Sequence, residues 1–190
     1  MKNILSKIKK QYHHLKNKLY FINFALGTAK ILLGLVSLSY EICISALYNI
    51  AIGISKKGIH SGNKNRKIVG LFIILSCFIY TRYSIFIIKN HINSNYHMYI
   101  AMIIATITFT EITITVINII KFKKCSDYDS LTLKSANLAS SIISFSLTQS
   151  AILSFTNKGI DMSFANGLGG IFFSLLSSIV GLILIITNKK

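Results

Sequence analysis

The chain has 190 residues, 52% of them hydrophobic and 14% charged, with no Pro or Trp and a mean hydropathy of +0.59. That balance excludes an ordinary soluble domain and points to an all-α, polytopic membrane protein. The formal charge of +16 does not imply nucleic acid, because the lysines fall between apolar spans and form no basic stripe on a folded face.

Residues 1–18 carry Lys2, Lys7, Lys9, Lys10, Lys16 and Lys18, with Ile4, Ile8, Tyr12 and Leu15 at helical spacing. This predicts a basic amphipathic segment lying on membrane lipid. It lacks the layout of a signal peptide, since no short apolar core with a small-residue cleavage site precedes the spans. Residues 19–188 form the expected transmembrane domain.

From Leu19 to Ser55 the chain is nearly uncharged. As one helix it would be roughly 55 Å long, against a hydrocarbon core of ~30 Å. It must therefore reverse, and the polar cluster Ser37, Ser39, Tyr40, Glu41 places the turn at 36–41, although no Gly or Pro marks it. Two short spans follow from this, Leu19–Leu35 and Ile42–Ser55. A basic loop, 56–67, leads to a third span at 68–88. A fourth covers 98–120, a fifth 135–155 and a sixth 163–187.

The basic residues test this count. They concentrate in the tail, the second and fourth loops and the C-terminus, whereas the opposite side holds only Lys89 and Lys158. Six transmembrane helices with both termini cytoplasmic, in the inner membrane, satisfy the positive-inside rule. Lys30 and Arg82 lie within spans.

The fourth span contains TITFTEITITVIN, residues 106–118. On a helix Thr108, Glu111, Thr115 and Asn118 share one stripe and the isoleucines take the remaining circumference. The alternating threonines also fit a strand, but an open strand in lipid leaves its backbone unpaired. A charge near the bilayer centre costs at least ~2.5 kcal/mol, so Glu111 should face other helices. Lys30, on the same face as Gly27 and Gly34, is its expected partner; Arg82 pairs with Glu41 or reaches the interface.

The fifth span carries Asn137, Ser141, Ser144 and Thr148, with Gln149 alongside, and the second carries Ser45, Tyr48 and Asn49. Such residues either bond helices together, at around 0.6 kcal/mol each, or line one polar pathway with Glu111. The clustered Gly167, Gly169 and Gly170, with Gly181, suit close helix packing in the sixth span.

Lys30, Gly34 and Ser39 lead into SALYNIAI of the second span, and SANLASSI of the fifth looks like its matching half. With six spans and cytoplasmic termini, this resembles the membrane domain of the cation diffusion facilitators. The resemblance implies that fold and topology, and places the family's metal ligands on Tyr48, Ile52, Asn137 and Ser141. Zinc wants imidazole, thiolate or carboxylate, so the tetrahedral site is expected to be lost and zinc transport is not expected. The family's cytoplasmic metal domain also has no counterpart before Lys190.

Cys43, Cys77 and Cys125 form no CxxC pair, and His13, His14, His60, His91 and His97 stand at no metal-ligand spacing within a span. Neither a disulfide, a metal nor a cofactor is expected. No span pairs Ser with His, which argues against a membrane enzyme. The expected function is a small secondary transporter or permease for an unidentified solute or ion, using Glu111, Lys30, Thr108, Thr115, Asn118, Asn137, Ser141, Tyr48 and Asn49. The alternative is a non-transporting membrane subunit or scaffold; either allows a homodimer.

Overall fold

The computed structural model describes residues 21, 24–37, 39–60, 66–93, 96–121, 128–156 and 160–186. The expected basic segment 1–18, residues 61–65 and 122–127 of the two basic loops and the final 187–190 lie outside them. Six helices and no strand occur among the described residues: α1 Phe24–Val36, α2 Tyr40–His60, α3 Arg66–Lys89, α4 Met98–Lys121, α5 Tyr128–Thr156 and α6 Ser163–Ile186. Isoleucine and threonine are middling helix formers in water. In lipid each peptide group must be bonded within its own segment, and that requirement outweighs propensity. The strand alternative for 106–118 is thereby excluded, since the whole stretch lies in α4.

Four helices are long and apolar enough to cross a membrane: Arg66–Lys89, Met98–Ile120, Thr132–Thr156 and Ser163–Ile186. The protein is an all-α integral membrane protein. Phe24–Val36 and the apolar part of α2, Tyr40–Ile54, are shorter, roughly 20 Å each by the helical rise.

The α1–α2 reversal needs no Gly or Pro because serines make it. Ser37 Oγ donates to Leu33 O at 2.7 Å, and Ser39 N donates to Gly34 O at 2.9 Å. Ser39 then accepts the first α2 bond, from Cys43 N at 3.2 Å. Hydroxyls at helix ends satisfy groups the helix itself leaves open.

Helix α2 continues to His60, past the expected end at Ser55, and α5 begins at Tyr128 where Ser135 was expected. Residues 128–134 contain no Gly or Pro, and Thr132 and Leu133 are buried, so packing draws the helix past its apolar stretch.

Helix α5 is central: it packs on α2, α3, α4 and α6. The most extensive contact joins α3 and α6. A Cβ on Gly70 would lie 2.7 Å from the Gly181 carbonyl oxygen, and one on Gly170 would strike the Ser84 hydroxyl. Glycines thus let these two backbones touch, as small residues do in membranes. Gly169 instead accommodates Gln149 of α5.

At the α3 end, His91 adopts φ 51°, and Ile92 N donates to Ile87 O at 3.1 Å. This left-handed residue ends the helix. His91 Nδ1 meets Asp161 Oδ2 at 2.8 Å, while Asp161 Oδ1 accepts from Ser163 N at 2.9 Å. Asn93 Oδ1 accepts from Met162 N at 2.9 Å. The loop after α3 is thereby tied to the start of α6.

Candidate functional site: a buried Lys–Glu pair

Helix α4 buries a single stripe, Ala101, Ile104, Thr108, Glu111, Thr115 and Asn118. The spacing of three and four that the sequence carries is the spacing of one helical face. Helix α1 turns Gly27, Lys30 and Gly34 inward. The two charged side chains meet there: Lys30 Nζ lies 3.0 Å from Glu111 Oε2, with Lys30 1% and Glu111 4% exposed.

Helix α5 completes the arrangement. Lys30 Nζ donates to Ser144 Oγ at 2.6 Å, and Ser144 Oγ donates to Glu111 Oε2 at 2.6 Å. Ser140 Oγ lies against both Glu111 Oε1 and Asn49 Oδ1 of α2. A hydroxyl has one proton to give, so Ser140 donates to the carboxylate or to the amide at any moment. The charge of the carboxylate is met on both oxygens, as a buried ion requires.

From this centre the polar stripe runs towards the α4–α5 connection. Thr115 Oγ contacts Ser141 Oγ at 2.8 Å, and Ser141 Oγ donates to Asn137 O at 3.0 Å. Asn118 is buried farther along α4, its Nδ2 without a protein partner. Towards the other end Thr108 Oγ donates to Ser144 O at 3.2 Å, and beyond it Ile42, Ile104, Leu147, Ala151 and Tyr96 form an apolar cluster. The pair therefore has an apolar cluster, bordered by the Tyr96 hydroxyl and buried Glu41, on its α4 N-terminal side and a file of hydroxyls and amides on its C-terminal side.

Of the residues expected in the pathway, Glu111, Lys30, Thr108, Thr115, Asn118, Asn137, Ser141 and Asn49 are buried along these inward faces. Tyr48 is also buried but turned away, its hydroxyl 2.6 Å from Ser177 Oγ and 3.9 Å from Cys77 Sγ. Ser45 lies one turn from Asn49, fully buried, with no protein partner for its Oγ. Ser140 was not singled out by the sequence, whereas Ser144 belonged to the α5 stripe expected either to bond helices together or to line the pathway.

Of the two outcomes expected for Arg82, the pairing with Glu41 does not form. Arg82 is exposed on α3, as are its neighbours Phe78, Ile79 and Phe86. Glu41 is buried and accepts from Tyr96 Oη at 3.2 Å, and Tyr96 Oη also contacts Ser39 Oγ at 2.8 Å. A long arginine reaches the interface more cheaply than it enters the bundle.

Tyr48 and Ile52, at positions where the resemblance puts metal ligands, belong to the apolar core with Val69, Ile73 and Ile143, whereas Ser141 faces α4. Among the described residues no cluster of three or more His, Cys, Asp or Glu side chains forms. Comparison with family models and with curated proteins gives no match to this chain.

Proposed function

We propose that the protein is a small permease of the cell membrane, in which the Lys30–Glu111 pair is the ion-binding site and the file Thr115, Ser141, Asn137, Asn118 is its route to the cytoplasm. The observation that carries this reading is a lysine–glutamate ion pair held inside the bundle. Each charge costs at least ~2.5 kcal/mol to insert near the membrane centre, whereas neutral hydroxyl contacts, at about 0.6 kcal/mol each, already join helices. Thr81 Oγ with Ser174 Oγ, at 2.7 Å, is such a contact in this chain. Packing alone gives no reason for the charges.

The asymmetry of the site supports the same reading. An apolar cluster closes one end and polar side chains continue at the other, as in a carrier open in one direction only. The basic residues on the α4–α5 connection, Lys121, Lys123 and Lys124, assign that end to the cytoplasm. The α1–α2 hairpin returns the chain to the side it came from whether or not it crosses fully, so both termini remain cytoplasmic. No catalytic step is part of this reading.

A scaffold role is favoured by one feature: both carboxylate oxygens already have protein partners. Flux separates the two. Full-length protein in proteoliposomes should pass monovalent ions or protons above the rate of empty vesicles, and Glu111→Gln should abolish this while still inserting. Folded wild-type protein that moves nothing overturns the permease and leaves the scaffold.

A further inference from the structure

We infer that the Lys30–Glu111 site exchanges one alkali-metal cation for one proton, the cation taking the place of the Lys30 ammonium. This rests on the permease reading and names its substrate class. The position of Lys30 Nζ is already a monovalent-cation position: it sits 3.0 Å from Glu111 Oε2 and 2.6 Å from Ser144 Oγ. On the other side of the carboxylate, Ser140 Oγ lies against Glu111 Oε1 and Asn49 Oδ1. These are uncharged or singly charged hard oxygens, the donors that sodium or potassium accepts and that transition metals do not prefer. Ser45 Oγ, one turn along the same α2 face, is fully buried without a protein partner, and adds a spare oxygen to this wall.

Charge fixes the stoichiometry. The buried set holds one ammonium and one carboxylate, and is neutral. When a cation M⁺ arrives, the ammonium gives its proton to water on the open side, leaving a neutral amine beside M⁺ and the carboxylate. The set is neutral again, with one M⁺ bound and one H⁺ released. A divalent ion would leave a net charge inside the bundle, which burial disfavours. Among the described residues, the titratable groups on the neighbouring helices include Tyr48 of α2, bonded towards Cys77 of α3, Cys43 of α2, packed on Gly34 one turn from Lys30, and Glu41 in the first turn of α2; the α5 groups that touch the pair are hydroxyls.

The test uses full-length protein in proteoliposomes with a lumenal pH dye and a voltage-sensitive dye, given gradients of NaCl, KCl or LiCl against choline chloride. The expected result is lumenal pH change driven by at least one alkali cation, one proton per cation, without a voltage response. Ser144→Ala, which keeps both charges and removes one ligand oxygen, should raise the half-saturating cation concentration at least threefold. Cation flux that develops voltage, or that moves no protons, overturns the exchange and leaves the permease standing. No flux with any salt or pH gradient overturns both, and unchanged cation affinity in Ser144→Ala overturns the assigned site.

Discussion

Lys30 and Glu111, 81 residues apart in sequence, meet at 3.0 Å with Ser144 Oγ bonded to both. Helices α1, α4 and α5 are thereby joined through three side chains. Removing either charge leaves the other buried and alone, which in protein interiors costs about 3–5 kcal/mol.

A double-mutant cycle should show this coupling directly. Lys30→Met and Glu111→Gln should each lower stability in detergent by about 3 kcal/mol. The double variant should lose less than the sum, because neither partner is left stranded. Thermal or denaturant unfolding of the four proteins measures it, and additive losses would mean that the two side chains do not depend on each other.

Hydroxyls with different partners should differ in weight. Ser144→Ala removes bonds to two ions and should cost about 1–3 kcal/mol. Thr110→Ala should change stability by less than about 0.5 kcal/mol, since Thr110 is exposed and its Oγ only donates back to Thr106 O. Unfolding midpoints of the two variants decide the matter.

Two glycines should respond with opposite signs. Gly53→Ala meets nothing nearer than Phe24 N at 4.0 Å, and should stabilise α2 by up to about 1 kcal/mol through helix propensity. Gly70→Ala drives a methyl to 2.7 Å from the Gly181 carbonyl. It should push α3 from α6 and cost about 1–3 kcal/mol. Equal responses in a thermal-shift assay would contradict this packing.

The α6 end should carry an acid-sensitive tie. Hydrogen bonds from the Ser163 side chain and backbone, then from His91, hold the exposed Asp161 carboxyl down at about 2. Because the folded value lies below the ordinary ~3.9, the stabilisation is complete above about pH 4 and fades as pH falls towards 2. Asp161→Ala should therefore lower the unfolding temperature at neutral pH, and the gap to wild type should narrow between about pH 4 and pH 2. A gap that stays constant through that window would remove the carboxylate's role.

Much of this was legible in the sequence because the relevant faces are simple. Helix α4 buries one stripe and exposes the rest to lipid, so spacing alone identifies Thr108, Glu111, Thr115 and Asn118. The inward turn of Lys30 followed from its glycine neighbours. Helix α5 is buried on most of its circumference, so no periodicity points to Ser140 over Ser141; both face inward, towards different partners. Tyr48 and Asn49 are adjacent and about 100° apart on a helix, so they could not both face Glu111. Only the packing of α3 and α6 decides that the tyrosine turns away. The serine reversal between α1 and α2 was located but not explained, because capping by hydroxyls leaves no Gly or Pro signal.

The claim on which the account turns is that the buried charges bind an ion and are not merely an adhesive between helices. Lys30→Met combined with Glu111→Gln separates these, since it roughly keeps the volume of both side chains, leaves an amide at position 111 to bond Ser140 and Ser144, strands no charge and loses only the Lys30 donation to Ser144. In proteoliposomes matched for folded protein, the account predicts that this variant inserts and folds but conducts no cation or proton flux. Flux equal to wild type from the uncharged pair would contradict it.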